Sequence, residues 1–283
     1  MNMRIKYLSG IHIAVLLFGL AGLFGKLIAA SPVTIVFGRT AFASVVLWVV
    51  IRRYRIGLKF QDRRDICGFL LMGMLLAIHW LTFFYSIQVS TVAIGLLTYS
   101  SFPVFVTLCE PLFFRSRLKT VDVITALIVM AGMIVIIPVF DIRNNIMQGV
   151  LYGLISGWTF ALLTIFNKKY ISVYPALKIA FYQDFTACLI LLPVIIIQAP
   201  RLSINDVGYL AILGILCTAL AHTLFIHSIK HIRAYTAGII ASLEPVYGIL
   251  LAILVLGEYP QLRTVIGGLL ILGTVSWVTL RSD

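Results

Sequence analysis

The chain has 283 residues, 61% of them hydrophobic and only 11% charged, with a mean hydropathy of +1.07. A soluble domain covers itself with roughly 25% charge, so the composition excludes one and makes lipid the solvent of most of the surface. The net charge of +12 is scattered over short gaps between apolar runs, which leaves no basic, aromatic-interleaved soluble segment for a nucleic acid to grip.

A hydrocarbon core of about 30 Å is crossed by about 20 apolar residues in a helix. Ten runs qualify, and they predict an all-α integral membrane protein with short connections. The first, 8–29, follows Arg4 and Lys6 and precedes Ala29-Ala30-Ser31, which gives it the look of a signal peptide. Its place in an internal repeat argues that it stays as a span. Lys26, near its end, is expected to snorkel to the interface. The second run, 33–50, carries Arg39 at membrane depth, with Trp48 as an interfacial anchor. Six basic residues follow, from Arg52 to Arg64. The third run, 66–87, sets Leu76, His79, Trp80, Phe83 and Phe84 on one helical face. The fourth, 92–114, holds Tyr99, Pro103 and Glu110-Pro111, and the fifth is 121–139.

The second set begins at 148–167, where Gly153-x-x-x-Gly157 predicts close helix contact beside Trp158. Tyr182 and Asp184 lie in 176–197, and His222 and Phe225 in 207–227. Glu244-Pro245 lies near the middle of 234–256, and 264–280 ends near Trp277. Cys67, Cys109, Cys188 and Cys217 show no C-x-x-C spacing and are expected to be apolar packers.

Lys and Arg orient the chain. With the N-terminus in the cytoplasm, seventeen of the 22 basic residues lie inside and three, Arg143, Arg201 and Arg263, outside. Both termini are then expected in the cytoplasm of a bacterial-type inner membrane. A shift of about 142 residues brings Phe24-Gly25-Lys26 onto Phe166-Asn167-Lys168, Ser86-Ile87 onto Ser228-Ile229 and Phe102-Pro103-Val104 onto Glu244-Pro245-Val246. With a two-residue gap, Ile35–Arg39 falls on Ile179–Gln183. Two halves, 1–140 and 147–283, each with five spans, must cross the membrane in opposite senses. Such inverted repeats serve alternating access around a site between the halves.

Ala219-Leu220-Ala221-His222-Thr223-Leu224-Phe225, then Ala234-Tyr235-Thr236-Ala237-Gly238, Leu243-Glu244-Pro245-Val246, Leu256-Gly257-Glu258 and Ile266-Gly267-Gly268 resemble the second repeat of EamA-type members of the drug/metabolite transporter superfamily. Arg39 and the stretch 92–103 resemble the first. The resemblance spans essentially the whole chain. It implies ten helices, a central cavity and transport of a small metabolite, commonly export, and it names no ligand. Gln88 departs from the basic residue that members often carry there, which bears on local anchoring.

Charged groups at membrane depth cost about 2.5–3.5 kcal/mol each on insertion scales, so they usually face a cavity or a partner. Glu244 can carry a coupling proton, or hydrogen-bond within the broken helix that Pro245 creates. Its pairing with Pro245 across the family favours a gating role, shared with Pro103. Arg39 offers a fork suited to a carboxylate, of substrate or protein; the alternative is a structural salt bridge near the outer face. Glu110 is expected in an ion-pair network with Arg115. His79 and His222, nearly equivalent under the repeat, can titrate or simply pack. The expected substrate-binding set is Arg39, His79, Trp80, Phe83, Tyr99, Trp158, Tyr182, Asp184, His222 and Phe225, and the gating set is Glu244, Pro245 and Pro103.

No metal-ligand spacing and no phosphate-binding loop occurs, so no cofactor is expected and no ATPase domain of this chain can drive transport. The expected partners are a small-molecule substrate, membrane lipid and protons as a candidate coupling ion. A facilitative uniporter, exchanger or importer is the alternative. An intramembrane enzyme on lipid-linked substrates fits less well, because the acidic groups are scattered one per helix rather than clustered.

Overall fold

A computed structural model describes residues 3–114, 120–229, 240–241 and 243–281. Arg115, Arg117, Lys119, Lys230, Arg233 and the Ala234–Gly238 stretch lie outside these, as do the side chains of Arg4, Lys6, Glu110 and Arg281. The described residues form helices and no strands. Seven helical stretches are long and apolar enough to cross a bilayer, and three shorter apolar ones, Val123–Ile136, Glu244–Leu256 and Leu262–Trp277, stand where the fifth, ninth and tenth spans are expected. The protein is an all-α membrane protein.

The elements are α1 (Met3–Leu27), α2 (Pro32–Arg53), α3 (Arg64–Val89), α4 (Val92–Tyr99), α5 (Phe102–Phe114), α6 (Thr120–Ile136), α7 (Asn145–Tyr170), α8 (Ala176–Gln198) and α9 (Ile204–Gly214). A π-helical turn, Ile215–Leu220, then leads into α10 (Ala221–Ile229). After the undescribed stretch come α11 (Glu244–Leu251), a second π turn (Ala252–Leu256) and α12 (Leu262–Arg281). Short polar residues start the helices by accepting otherwise unpaired N–H groups. Ser31 Oγ accepts from Thr34 N before Pro32 at the first helical position. Thr91 does the same for α4, Asn144 for α7, and Ser203 with Asp206 forms a capping box on α9.

The fourth span is two helices rather than the single run expected. Pro103 has no N–H to give and its ring crowds the carbonyl four residues earlier, that of Tyr99. The chain turns at Ser100-Ser101. Hydroxyls add donors to carbonyls beside the break: Ser100 Oγ donates to Leu96 O at 2.8 Å and Ser101 Oγ to Thr98 O at 2.7 Å. Such local repair is what allows a broken helix at membrane depth. Under the 142-residue shift, Ser101 corresponds to Leu243, the turn residue that precedes α11.

The two halves interlock. α3 packs on α7, α2 on α8, α6 on α12, and α1 on both α10 and α11, each pair drawn from opposite halves. Glycine makes the α1–α11 crossing possible. A Cβ on Gly19 would stand 2.9 Å from the Glu244 carbonyl oxygen and 3.0 Å from Gly248 N. Backbone cannot swing aside as a side chain does, so Gly19→Ala is expected to force α1 from α11 and to destabilise the protein by about 1–3 kcal/mol, the usual cost of overpacking. Thermal unfolding in detergent measures it; an unchanged midpoint would mean that this crossing is loose. Gly157 plays a similar part for α7, with its Cβ position 3.0 Å from the Tyr99 carbonyl oxygen at the break in span four.

Candidate functional site: a closed cavity between the halves

Arg39 is the organising side chain. It sits two turns into α2 and is 1% exposed. Its Nε donates to Thr218 Oγ1 at 2.9 Å and a terminal nitrogen lies 3.4 Å from the Cys217 carbonyl oxygen. The guanidinium carbon stands 3.8 Å from the centre of the Trp80 ring, close enough for cation–π attraction. Both polar partners belong to the π turn between α9 and α10. There Thr218 Oγ1 donates five residues back, to Leu213 O at 2.8 Å, while accepting from Arg39. π turns inside α-helices recur at functional sites because they re-aim groups that a regular helix would engage. These immediate partners of Arg39 are neutral, so the expected alternative of a salt bridge near the outer face gives way to a guanidinium set deep between the two halves.

Around it lies a cavity lined by Phe18, Ala21, Arg39, Leu76, His79, Trp80, Phe83, Tyr99, Phe160, His222 and Glu244. Both halves contribute to the wall. His79 Nδ1 lies 2.8 Å from Ser156 Oγ on α7 and its ring packs on Phe160 and Tyr99 at centroid distances of 4.7 and 5.2 Å. His222 meets Trp80 edge-on at 6.0 Å, and neither of its ring nitrogens has a hydrogen-bond partner among the described residues. The cavity measures about 30 Å³, room for a water or two and none for a metabolite. Arg39, His222 and Glu244 thus converge on a space walled by aromatic rings, a form suited to binding an amphipathic solute once it widens.

Of the residues expected from sequence, Arg39, His79, Trp80, Phe83, Tyr99, His222 and Glu244 come together here. Phe225 stands just behind, against Phe18 and Phe160. Pro103 and Pro245 mark the two helix breaks. Three residues are elsewhere. Trp158 is 48% exposed on the outside of α7, a lipid-facing position. Tyr182 lies toward one end of α8, where its hydroxyl donates to the Leu58 carbonyl oxygen at 2.9 Å. Asp184 is buried but lines no part of the cavity. Phe18 and Phe160 were not anticipated, although they are 142 residues apart and so occupy equivalent places in the repeat.

Both ends of the molecule are tied shut by contacts between halves. On the face away from the basic loops, Lys26 does not merely snorkel. Its ammonium donates to Ser90 O at 2.9 Å and lies 3.9 Å from the Glu258 carboxylate. Glu258 also accepts from Val92 N at 3.0 Å, capping α4, and Asp206 accepts from Ala29 N at 3.0 Å. Gln88 anchors the end of α3 to that of α1 by donating to Ala30 O at 2.8 Å.

On the basic face, the loop between α2 and α3 is strapped to the α7–α8 corner. Tyr174 Oη donates to Asp65 and accepts from Gln61 N. Burial, then the bond to Asp65, pushes the Tyr174 phenol above its ordinary range, which keeps it a donor. Lys178, expected among the basic residues around the loop, is instead 2% exposed. It donates to the Lys59 carbonyl oxygen, and its ammonium faces the rings of Tyr174 and Phe60 at 4.3 and 5.0 Å.

A ten-segment helical fold, two interlocked halves and a cavity between them define a membrane transporter. The sequence matches the EamA-like transporter family over residues 5–137 and 147–280, one match in each half, and the chain belongs to that family. It is 24% identical to the uncharacterized transporter YxxF of Bacillus subtilis over 95% of this chain and 88% of the relative. An uncharacterized transporter of Clostridium kluyveri is 26% identical over 54% of this chain and 52% of its own length. A solved crystal structure shares the fold, with a TM-score of 0.69 and 18% identity over 98% of this chain and 97% of that one.

Proposed function

We propose that this transporter carries a small organic metabolite, an amino acid or a similar amphipathic solute, by alternating access between repeats 1–140 and 147–283, and that it works as an exporter. The observation that supports the reading is the cavity itself, built by both halves, lined by Arg39, His222 and Glu244 among aromatic rings and tied shut toward both faces. The closed arrangement corresponds to an occluded state. Opening either set of ties would widen the cavity toward one side only. The distribution of Lys and Arg supports a bacterial-type cytoplasmic membrane, with the basic face and both termini inside.

The test is counterflow into liposomes that hold purified protein and a high internal concentration of one unlabelled compound at a time, drawn from amino acids, nucleosides, sugars and amines. At least one labelled counterpart is expected to accumulate transiently against empty liposomes. Trp80→Ala, which strips the ring from Arg39 and opens one wall, is expected to lower that accumulation at least about tenfold, the loss of about 1.4 kcal/mol of binding. If no compound of any class exchanges, the reading fails. Lower retention of the identified compound in expressing cells than in control cells tests the direction, and higher retention would make the protein an importer.

A further inference from the structure

Between α2 and α8, apart from the cavity, the membrane interior holds a carboxyl group that no contact neutralises. Asp184 is 0% exposed, and neither of its carboxyl oxygens has a hydrogen-bond partner among the described residues. α2 and α8 run antiparallel, with the Thr40 hydroxyl at the Cys188 thiol. Ser44 Oγ, one turn on from Thr40 in α2, is likewise buried and unpartnered. A bare carboxylate in a low-dielectric interior without donors is among the least favourable arrangements a protein can hold. A neutral carboxylic acid brings its own donor and can give it to a neighbouring hydroxyl or carbonyl. The neutral acid is the form that these surroundings accommodate.

The groups that bear on Asp184 can be named element by element. On α2, Arg39 is the charge whose field reaches it, while Arg52 and Arg53 lie at the end of the helix. On α3, His79 is turned to Ser156, and Asp65 and Cys67 lie at the basic-face end, where Asp65 is held by Tyr174. On α10, His222 faces Trp80, and His227 is at the far end. In the π turn, Cys217 lies beside Arg39. On α8 itself, Cys188 pairs with Thr40 and Lys178 with Lys59. Arg39 is therefore within the electrostatic reach of two acids, Asp184 and the cavity-lining Glu244.

We infer that Asp184 is the proton-binding site that couples transport to a proton gradient, with Arg39 relaying its state to the cavity; the inference rests on the transporter reading above. With the proton on Asp184, Arg39 stays on Trp80, Thr218 and the Cys217 carbonyl. Loss of that proton to water, as one face opens, leaves a carboxylate that draws the guanidinium across. The cavity then lacks its cation, so its hold on a solute changes with the proton. Rebinding of one proton reverses the step, and no other bond forms or breaks. Glu244 lines the cavity and would meet the solute directly, whereas Asp184 senses it only through Arg39.

Two measurements decide it, and the first needs no substrate. Infrared spectra of the whole protein in lipid are expected to show the C=O stretch of a buried carboxylic acid at neutral pH. That band is expected to be lost in Asp184→Asn, kept in Glu244→Gln and shifted in Asp184→Glu, which serves should the asparagine variant fail to fold. A band absent from the wild type, or unchanged in Asp184→Asn, overturns the proposal. The second uses the compound found by counterflow. In Asp184→Asn whatever exchange remains is expected to be independent of pH, and accumulation driven by a pH gradient is expected to be lost. Accumulation that survives in the variant, or that follows a sodium gradient in the wild type, also overturns it. Absence of exchange in the wild type would instead sink the transporter reading and leave the infrared result standing.

Discussion

Arg39→Ala is expected to lower transport by at least about a hundredfold, the largest effect of any single substitution in the chain. The guanidinium holds α2 to the π turn of the opposite half through Thr218 and the Cys217 carbonyl and covers the face of Trp80. Alanine leaves those groups without their donor in a buried place, and a buried polar group left unsatisfied costs about 1–3 kcal/mol. Part of that appears as lost stability, so detergent thermal unfolding accompanies the flux measurement. Arg39→Lys separates charge from shape. Lysine keeps the positive charge but offers a single ammonium instead of a planar fork, and it stacks less well on Trp80. It is therefore expected to recover stability in part and transport hardly at all. If Arg39→Ala exchanges the identified compound at the wild-type rate, the cavity is not where the solute passes.

Much of the architecture was legible in the sequence because lipid imposes a simple rule: about 20 apolar residues for each crossing. Among the described residues, each of the ten runs contains helix. The rule says nothing about which side of a helix faces inward, since core and lipid are both apolar and the usual hydrophobic stripe disappears. Trp158 shows the consequence. Its neighbour Gly157 packs on Tyr99 and Ser156 and Thr159 are buried, while Trp158 points out; two small hydroxyl residues are a weak mark of the inward face beside a large ring. Charged and polar groups are the exception, because they must turn inward, and Arg39, His79, His222 and Glu244 were found on that ground. The repeat held a further signal. Applied to Phe18, it leads directly to Phe160, and both rings line the cavity. Backbone irregularity stayed hidden. The break at Ser100 follows from Pro103, but nothing in Ile215–Leu220 announces a π turn, and the burial of Lys178 depends on a loop that folds back over α8.

Breaking the ties at one face is expected to expose the cavity to that face alone. Asp65 and Asp206 each open the third span of a half, and the 142-residue shift carries Asp65 to Val207, one residue from Asp206. Each carboxylate holds the turn after the first span of the other half, Tyr174 in one case and Ala29 in the other. Two related contacts on opposite faces thus oppose one another across a common cavity. A two-state equilibrium moves only by the difference between its states, so weakening one contact is equivalent to strengthening the other. A cysteine placed at Ala21, on the cavity wall, reports the result with a membrane-impermeant thiol reagent once labelling of the native cysteines is subtracted. Asp206→Asn combined with Glu258→Gln is expected to raise labelling several-fold from the face opposite the basic loops. Asp65→Asn combined with Tyr174→Phe is expected to raise it several-fold from the basic face and lower it from the other. Joining all four substitutions should return the balance toward that of the wild type while speeding exchange, since neither end is then held. Labelling that rises equally from both faces in either double variant would mean that the ties brace the fold and do not gate it.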